Sequence, residues 1–448
     1  MRALLLLLLL GGVAWFLVQG FGPSLAKDPE PSGTGGTMLT EDPPERGSDA
    51  PLGAASAQQL PAAEPEAKPS EAAPVEVEKP RPAPPAAPET AEKQQESASP
   101  APTHELELAA QLAHQPEGFT AWLASHEAGV STGRRKLARA LSLQLAGRAE
   151  EASAIVRELG GSEDLAADER KLLDFWPQGA AFALPPSNGS LLLRAAGLAS
   201  CEHVAREALD AARYLEAVQA YSQLLTGELA SPWPADQARL AEWTAGLDKA
   251  QHGYRWNRKA GWPSLDLKVE SGDSLIGLRK RALEQRPELT TCTGLIARAN
   301  ELQGETIHPG QLVRVPTGKP RVLVDLSARW LLFLLDDEVL AAWPVGVGKP
   351  GSDTPRGSYT VGEKSTDPTW FRPGEAPVPA GDPRNPLGTR WIAWVGSDGE
   401  KTHLGFHGTR NPESIGQDES EGCVRMLNRN VEELYQILPR GTPVLVQP

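Results

Sequence analysis

No Phe, Trp or Tyr occurs between Lys27 and Thr103, 77 residues typified by "EPEAKPSEAAPVEVEKPRPAPPAAPETAEKQQE". Without large apolar side chains such a stretch cannot bury enough surface to offset the entropy of ordering its backbone. Proline and self-repulsion extend it, so residues 27–103 are expected to be a disordered, acidic, Pro/Ala-rich linker. As a flexible coil its ends would lie roughly 50 Å apart. Folding is thereby confined to the chain that follows. The span holds 14 acidic and 6 basic side chains, so −8 of the chain's −14 belongs to it. That balance argues against a nucleic-acid partner and says little about any active site.

Ahead of the linker, "MRALLLLLLLGGVAWFLVQGFGPSLAKD" carries no charge between Arg2 and Lys27. A positive start and an apolar run from Ala3 to Val18 form the pattern of an export signal. As a helix the run would span about 24 Å, against ~30 Å for a bilayer core. Residues 1–26 are therefore either a signal sequence, with Ser24 and Ala26 as the small residues at a cleavage position, or a single membrane anchor continued to Ala26. The chain is expected to be exported, and its three cysteines leave at least one thiol unpaired.

From 104 to 260 the chain is rich in Ala, Leu and Glu at helical spacing. "RKLARALSLQLAGRAEEASAIVRELGG" and "VAREALDAARYLEAVQAYSQLLTGE" each read as two helices around a short turn, and Gly147 to Ala152 aligns with Ala212 to Ala217 at an offset of 65. That is close to two units of a 34-residue repeat. The region is expected to be tetratricopeptide-like or an ordinary helical bundle. As a repeat it would bind a protein partner or act as a spacer, and His114, His126 and His203 stand alone in it.

Residues 265–316 read as strand, helix, helix, strand. Gly272 and Asp273 form the first turn, Ser274 opens a helix, Asn300 lies near the end of the second, and Pro309-Gly310 leads into "LVRV". With "VESGDSL", "ARAN" and "IHPGQLVRVP", the segment resembles the lysin motif (LysM). The resemblance implies a βααβ module that binds N-acetylglucosamine-containing glycans such as peptidoglycan. Its groove would involve Gly272, Asp273, Ser274, Ile307 and Pro309.

Residues 320–448 are β-rich and punctuated by Gly and Pro, which suggests a compact all-β domain. One short helix is expected at "NRNVEELYQIL", with Asn428 as its N-cap. Within this domain "HGTRNPESIGQDESEGCVRM" places His407 and Cys423 16 residues apart. A metal site is disfavoured: on a strand, His403 and His407 would lie ~13 Å apart, and a single Cys beside acidic residues is a poor zinc ligand set. Nucleophilic chemistry fits better. Arg425 near an unpaired cysteine favours its thiolate. Gly422 admits a substrate carbonyl, and the N–H groups of Gly422 and Cys423 would receive its oxyanion. A histidine within reach would take the thiol proton.

These residues, with "FHGT", "SIG" and "SEGCVRMLN" and the earlier "TPRGSYTV" and "NPLGTRWIAW", resemble the L,D-transpeptidase (YkuD-type) catalytic domain over 320–448. The resemblance implies a β-sandwich-like fold, with Cys423 as nucleophile, His407 as general base and the Gly408 carbonyl orienting the imidazole. Ser420, Gly422 and Arg425 would serve the oxyanion and the substrate, the planar Arg425 guanidinium suiting a stem-peptide carboxylate. No cofactor and no metal are implied. The expected partners are peptidoglycan stem peptides and glycan strands, in the cell envelope, with the membrane touched only through the N-terminal segment. Many members carry His where this chain has Glu421, and a carboxylate two residues from the thiol would raise its pKa if turned inward. An L,D-carboxypeptidase and a non-catalytic wall-binding scaffold are the alternatives.

Overall fold

The computed structural model of the protein describes residues 103–126, 129–176, 189–257, 263–371 and 374–448. The expected leader and all but the last residue of the expected linker lie outside them. Among the described residues no helix is long and apolar enough to cross a membrane.

The described chain opens with helices α1 (Thr103–His114), α2 (Phe119–Ser125), α3 (Thr132–Leu145), α4 (Ala149–Glu158), α5 (Ala167–Phe175), α6 (Leu191–Asp210), α7 (Tyr214–Leu229) and α8 (Gln237–Gly253). The internal repeat is visible in the backbone. Gly147 between α3 and α4 and Ala212 between α6 and α7 both take left-handed conformations, with φ of 75° and 55°. In each turn the next N–H, from Arg148 or Arg213, closes on the carbonyl five residues back at 2.8 Å. Each of those arginines then pairs with a glutamate three residues on, Glu151 or Glu216. The same turn is built twice, with Gly at the left-handed position in one copy and Ala in the other, and an Arg–Glu pair in both.

A small βααβ module follows, made of β1 (Ser264–Lys268), α9 (Leu275–Gln285), α10 (Thr293–Ala299) and β2 (Leu312–Pro316), with β1 and β2 antiparallel. Leu267, Leu278, Ala282, Ile296, Val313 and Val315 give it a core of its own.

The remainder contains β3 (Pro320–Asp325), β4 (Trp330–Leu335), β5 (Glu338–Pro344), β6 (Val347–Gly348), β7 (Gly357–Thr366), β8 (Arg390–Gly396), β9 (Lys401–His407), β10 (Asp418–Ser420), β11 (Val424–Arg425), α11 (Asn428–Ile437) and β12 (Pro443–Gln447). Eight of these strands form one mixed sheet in the order β11-β9-β8-β7-β12-β3-β4-β5. Leu331 and Phe333 from one end share a core with Ile392, Trp394, Phe406 and Val424 from the other. The sheet therefore curls over on itself, in keeping with the expected sandwich-like architecture. Helix α11 contributes Val431, Leu434 and Ile437 to that core.

Strand β4, "WLLFLL", is buried along its whole length. Because side chains alternate across a strand, one set of three must face each way. Leu331, Phe333 and Leu335 enter the core just described, whereas Trp330, Leu332 and Leu334 join the core of the helical region. The edge strand β5 is sealed from the same side: the Val339 N–H donates to Ser222 Oγ at 2.8 Å, and Gln251 Nε2 donates to the Val339 carbonyl at 2.6 Å. An open edge, which would otherwise invite pairing with another chain, is closed by helical side chains. The module docks too, through Leu295 and Ala299 in the shared core and an Arg298–Glu433 ion pair of 2.9 Å onto α11.

Candidate active site

The local sequence puts His407 at the end of β9 and Cys423 just before β11, and these two strands pair in parallel, Val424 opposite Phe406 and Arg425 opposite His407. Parallel pairing brings together residues 16 apart in the chain. Cys423, His407, His403, Ser420, Glu421 and Arg425 all line one cleft of about 760 Å³.

His407 is 4% exposed. Its Nδ1 lies 2.6 Å from the Gly408 carbonyl. A carbonyl can only accept, so Nδ1 carries the proton and Nε2 is left with the lone pair. Trp391 stacks on the ring, its centroid 6.0 Å away at 29°. A Cβ at Gly408 would collide with Asn428 Oδ1, so a larger residue there would have to displace that side chain. Asn428 is not the helix cap expected of it. It is the first residue of α11, which begins one position earlier, and its amide oxygen accepts the Thr389 N–H at 3.2 Å instead.

Cys423 donates its thiol hydrogen to the His403 carbonyl at 3.5 Å. Preceding it, Gly422 has φ of 103°, a left-handed conformation that favours glycine. The buried Ser420 hydroxyl locks this turn: it donates to the Cys423 carbonyl at 2.6 Å and accepts from the Gly422 N–H at 3.2 Å. One of the two amides expected to receive an oxyanion is therefore already engaged.

Burial pushes the Cys423 thiol up to about 11, against the Gly405 N–H and the Arg425 cation, which favour the thiolate, while Glu421 adds to the rise. Arg425 acts in the expected direction and is outweighed. Burial also lowers His407 to about 4, opposed by the bond to Gly408 and reinforced by Arg425. Desolvation penalises whichever form is charged, so the resting pair is neutral thiol and neutral imidazole. Alkylation of Cys423 by iodoacetamide is accordingly expected to rise about tenfold per pH unit from pH 7 to 10. A plateau near pH 6–7, read by mass spectrometry of the Cys423 peptide, would instead indicate a preformed ion pair.

The five residues expected to bind glycan lie on the two stretches of chain that adjoin one end of the β1–β2 pair. The Val269 N–H donates to the Gln311 carbonyl and the Gly310 N–H to the Val269 carbonyl, both at 2.8 Å, which sets the two loops side by side. Gly272 turns the chain with φ of 89°. Asp273 accepts the Glu270 N–H at 2.8 Å, and Ser274 caps α9 by accepting the Gly277 N–H at 3.1 Å. Ile307 packs partly on the module core, and Pro309 sits exposed in the second loop.

Sequence reasoning missed Trp391, Asn428 and the cleft-lining pair Trp370 and Phe371. Two adjacent aromatics in a Gly/Pro-rich loop were the available signal for the last two.

The YkuD family of L,D-transpeptidase catalytic domains matches residues 319–446. The Bacillus subtilis protein named as an L,D-transpeptidase, YqjB, is 36% identical over 129 residues, 29% of this chain and 72% of that protein. The Bacillus licheniformis protein named as the L,D-transpeptidase YkuD is 34% identical over 165 residues, 36% of this chain and 88% of that protein. The solved catalytic domain of the Enterococcus faecium L,D-transpeptidase is 25% identical and covers 29% of this chain and 98% of that one, with a TM-score of 0.24. The relatives and the family match define the class of the C-terminal domain, an L,D-transpeptidase catalytic domain. The chain belongs to the YkuD family of these enzymes.

Proposed function

We propose that the chain is a peptidoglycan L,D-transpeptidase in which Cys423 is the nucleophile and His407 its base. The observation that carries this reading is the orientation of His407. Its Nδ1–H is held by the Gly408 carbonyl, which leaves Nε2 as a proton acceptor in the cleft that also holds Cys423.

Cys423 Sγ attacks the carbonyl of the diamino acid that precedes the terminal D-residue of a tetrapeptide stem, and the thiol proton passes to His407 Nε2. The tetrahedral oxyanion collapses, the C–N bond breaks, and D-alanine leaves with the proton returned by His407. An amine on a second stem then attacks the thioester, His407 takes its proton and gives it to the departing sulfur, and a cross-link results. With a thiol near 11 and an imidazole near 4, proton transfer is unfavourable before bond formation. It is therefore coupled to C–S bond formation, when the Cys423 N–H can receive the developing oxyanion while the Gly422 N–H stays on Ser420. Arg425 faces the same cleft and suits a stem carboxylate.

The test is intact-protein mass spectrometry with a tetrapeptide donor. An adduct on Cys423 with loss of D-alanine supports the assignment, and an unmodified chain after prolonged incubation sinks it. If water resolves the thioester as fast as an added amine does, the carboxypeptidase reading prevails.

The βααβ module is assigned glycan docking in the cell envelope, which its two adjacent loops support. Full-length protein is expected to sediment with purified peptidoglycan, and Ile307→Asp with Pro309→Asp to leave most of it in the supernatant. Equal sedimentation of both proteins would make the module a packing unit only.

A further inference from the structure

One wall of the cleft is formed by described residues between β7 and β8, Trp370, Phe371, Arg384, Pro386 and Leu387. Its ends close on each other, with the Asp367 N–H donating to the Thr389 carbonyl at 3.0 Å, and further out Trp370 and Val378 exchange backbone bonds of 2.8 and 2.9 Å. Between these points sits Asn385, only 3% exposed. Its Nδ2 donates to the carbonyls of Pro368, Val378 and Pro379 at 2.9, 3.2 and 3.2 Å, and its Oδ1 accepts the Leu387 N–H at 2.9 Å. One buried amide thus ties three passes of loop together. The far end is tied to the catalytic strand's own extension, since Arg410 donates to the Asp382 and Gly381 carbonyls.

What this amide holds in place faces Cys423. Trp370, Phe371, Pro386 and Leu387 line the same cleft. Phe371 is 72% exposed, so its ring is not buried in the fold. Loops rarely present such a surface without a rigid support, because each residue left free would lose conformational entropy on binding.

We propose that Asn385 is a positioning residue for the acyl donor. It fixes the Trp370–Phe371 and Pro386–Leu387 pairs as a standing apolar wall against which the donor peptide lies while its carbonyl reaches Cys423. The proposal rests on Cys423 as the nucleophile. Asn385 touches no substrate itself: swinging the wall away would break its four hydrogen bonds, so the wall acts as a fixed template for the donor.

The test uses the full chain and a tetrapeptide donor, with acylation followed by mass spectrometry and iodoacetamide alkylation of Cys423 as a probe that needs no wall. Asn385→Ala is expected to raise the half-saturating donor concentration about tenfold or more, with the limiting rate within about threefold of wild type. Alkylation is expected to stay within about twofold. Phe371→Ala, at an exposed position, is expected to raise half-saturation by about threefold or more with alkylation unchanged. A folded Asn385→Ala protein with unchanged half-saturation overturns the proposal, as does alkylation that falls in step with acylation. Should Asn385→Ala fail to fold, Phe371→Ala decides, and an unchanged half-saturation there overturns the wall. Absence of any Cys423 adduct on the wild-type chain is a different result, which removes the nucleophile assignment itself.

Discussion

Cys423→Ala is expected to abolish both acylation by a tetrapeptide donor and cross-link formation while leaving the domain folded. The thiol donates to the His403 carbonyl at 3.5 Å and is approached by the Gly405 N–H, weak contacts whose loss costs on the order of 1 kcal/mol of stability. Carbapenems, whose strained β-lactam carbonyl mimics the donor amide, should label the wild-type chain at Cys423 and leave the alanine variant untouched. His407→Ala should slow acylation by roughly 10² to 10⁴ near neutral pH, the usual contribution of a general base. That deficit has a direction with pH. The thiol stands near 11, so as pH rises towards that value the thiolate forms without assistance and the two proteins should converge. A deficit that stays constant up to pH 10 would mean that His407 does something other than take the proton. Undiminished labelling of the alanine variant would place the nucleophile elsewhere.

Cutting the chain to residues 319–448 is expected to yield an unstable or aggregating domain, although the family match spans little else. Leu323, Trp330, Leu332, Leu334 and Val339 are buried together with side chains of the helical region. Five large apolar groups at about 1.5–3 kcal/mol each bring on the order of 10 kcal/mol of burial. That is as large as the net stability of a whole domain. The cut also exposes the Val339 N–H and carbonyl on an edge strand, now satisfied by Ser222 and Gln251. Comparison of 319–448 with 103–448 by analytical sedimentation and thermal melting checks this. A monomeric short form melting within a few degrees of the long one would show that the helices are dispensable to the fold.

This dependence bears on how the protein is organised. The sequence suggests separable parts, a helical spacer, a docking module and a catalyst. In the folded chain the helices cover one face of the sheet and the module leans on α11, whose first residue, Asn428, abuts Gly408 beside His407. If the module holds a glycan strand, it does so at a fixed position relative to the cleft.

By itself the sequence determined what local chemistry dictates. Helical periodicity marked the hairpins, and the 65-residue offset located two turns that share backbone geometry. Ser274 stood where a helix opens, and it caps that helix. The motif residues named His407 and Cys423. Only the tertiary structure decided what depends on parts distant in the chain. That Asn428 serves Thr389 instead of capping its own helix depends on a strand end 39 residues away. The thiol's pKa depends on how much water the folded cleft excludes, which outweighs the nearby Arg425. The run "WLLFLL" lay in a segment legible only as β-rich, and nothing local said that both its faces would be buried or against what. A buried strand face needs only apolar contact, which is non-directional and names no partner; the choice of α7 and α8 as that partner was made by the packing of the whole chain.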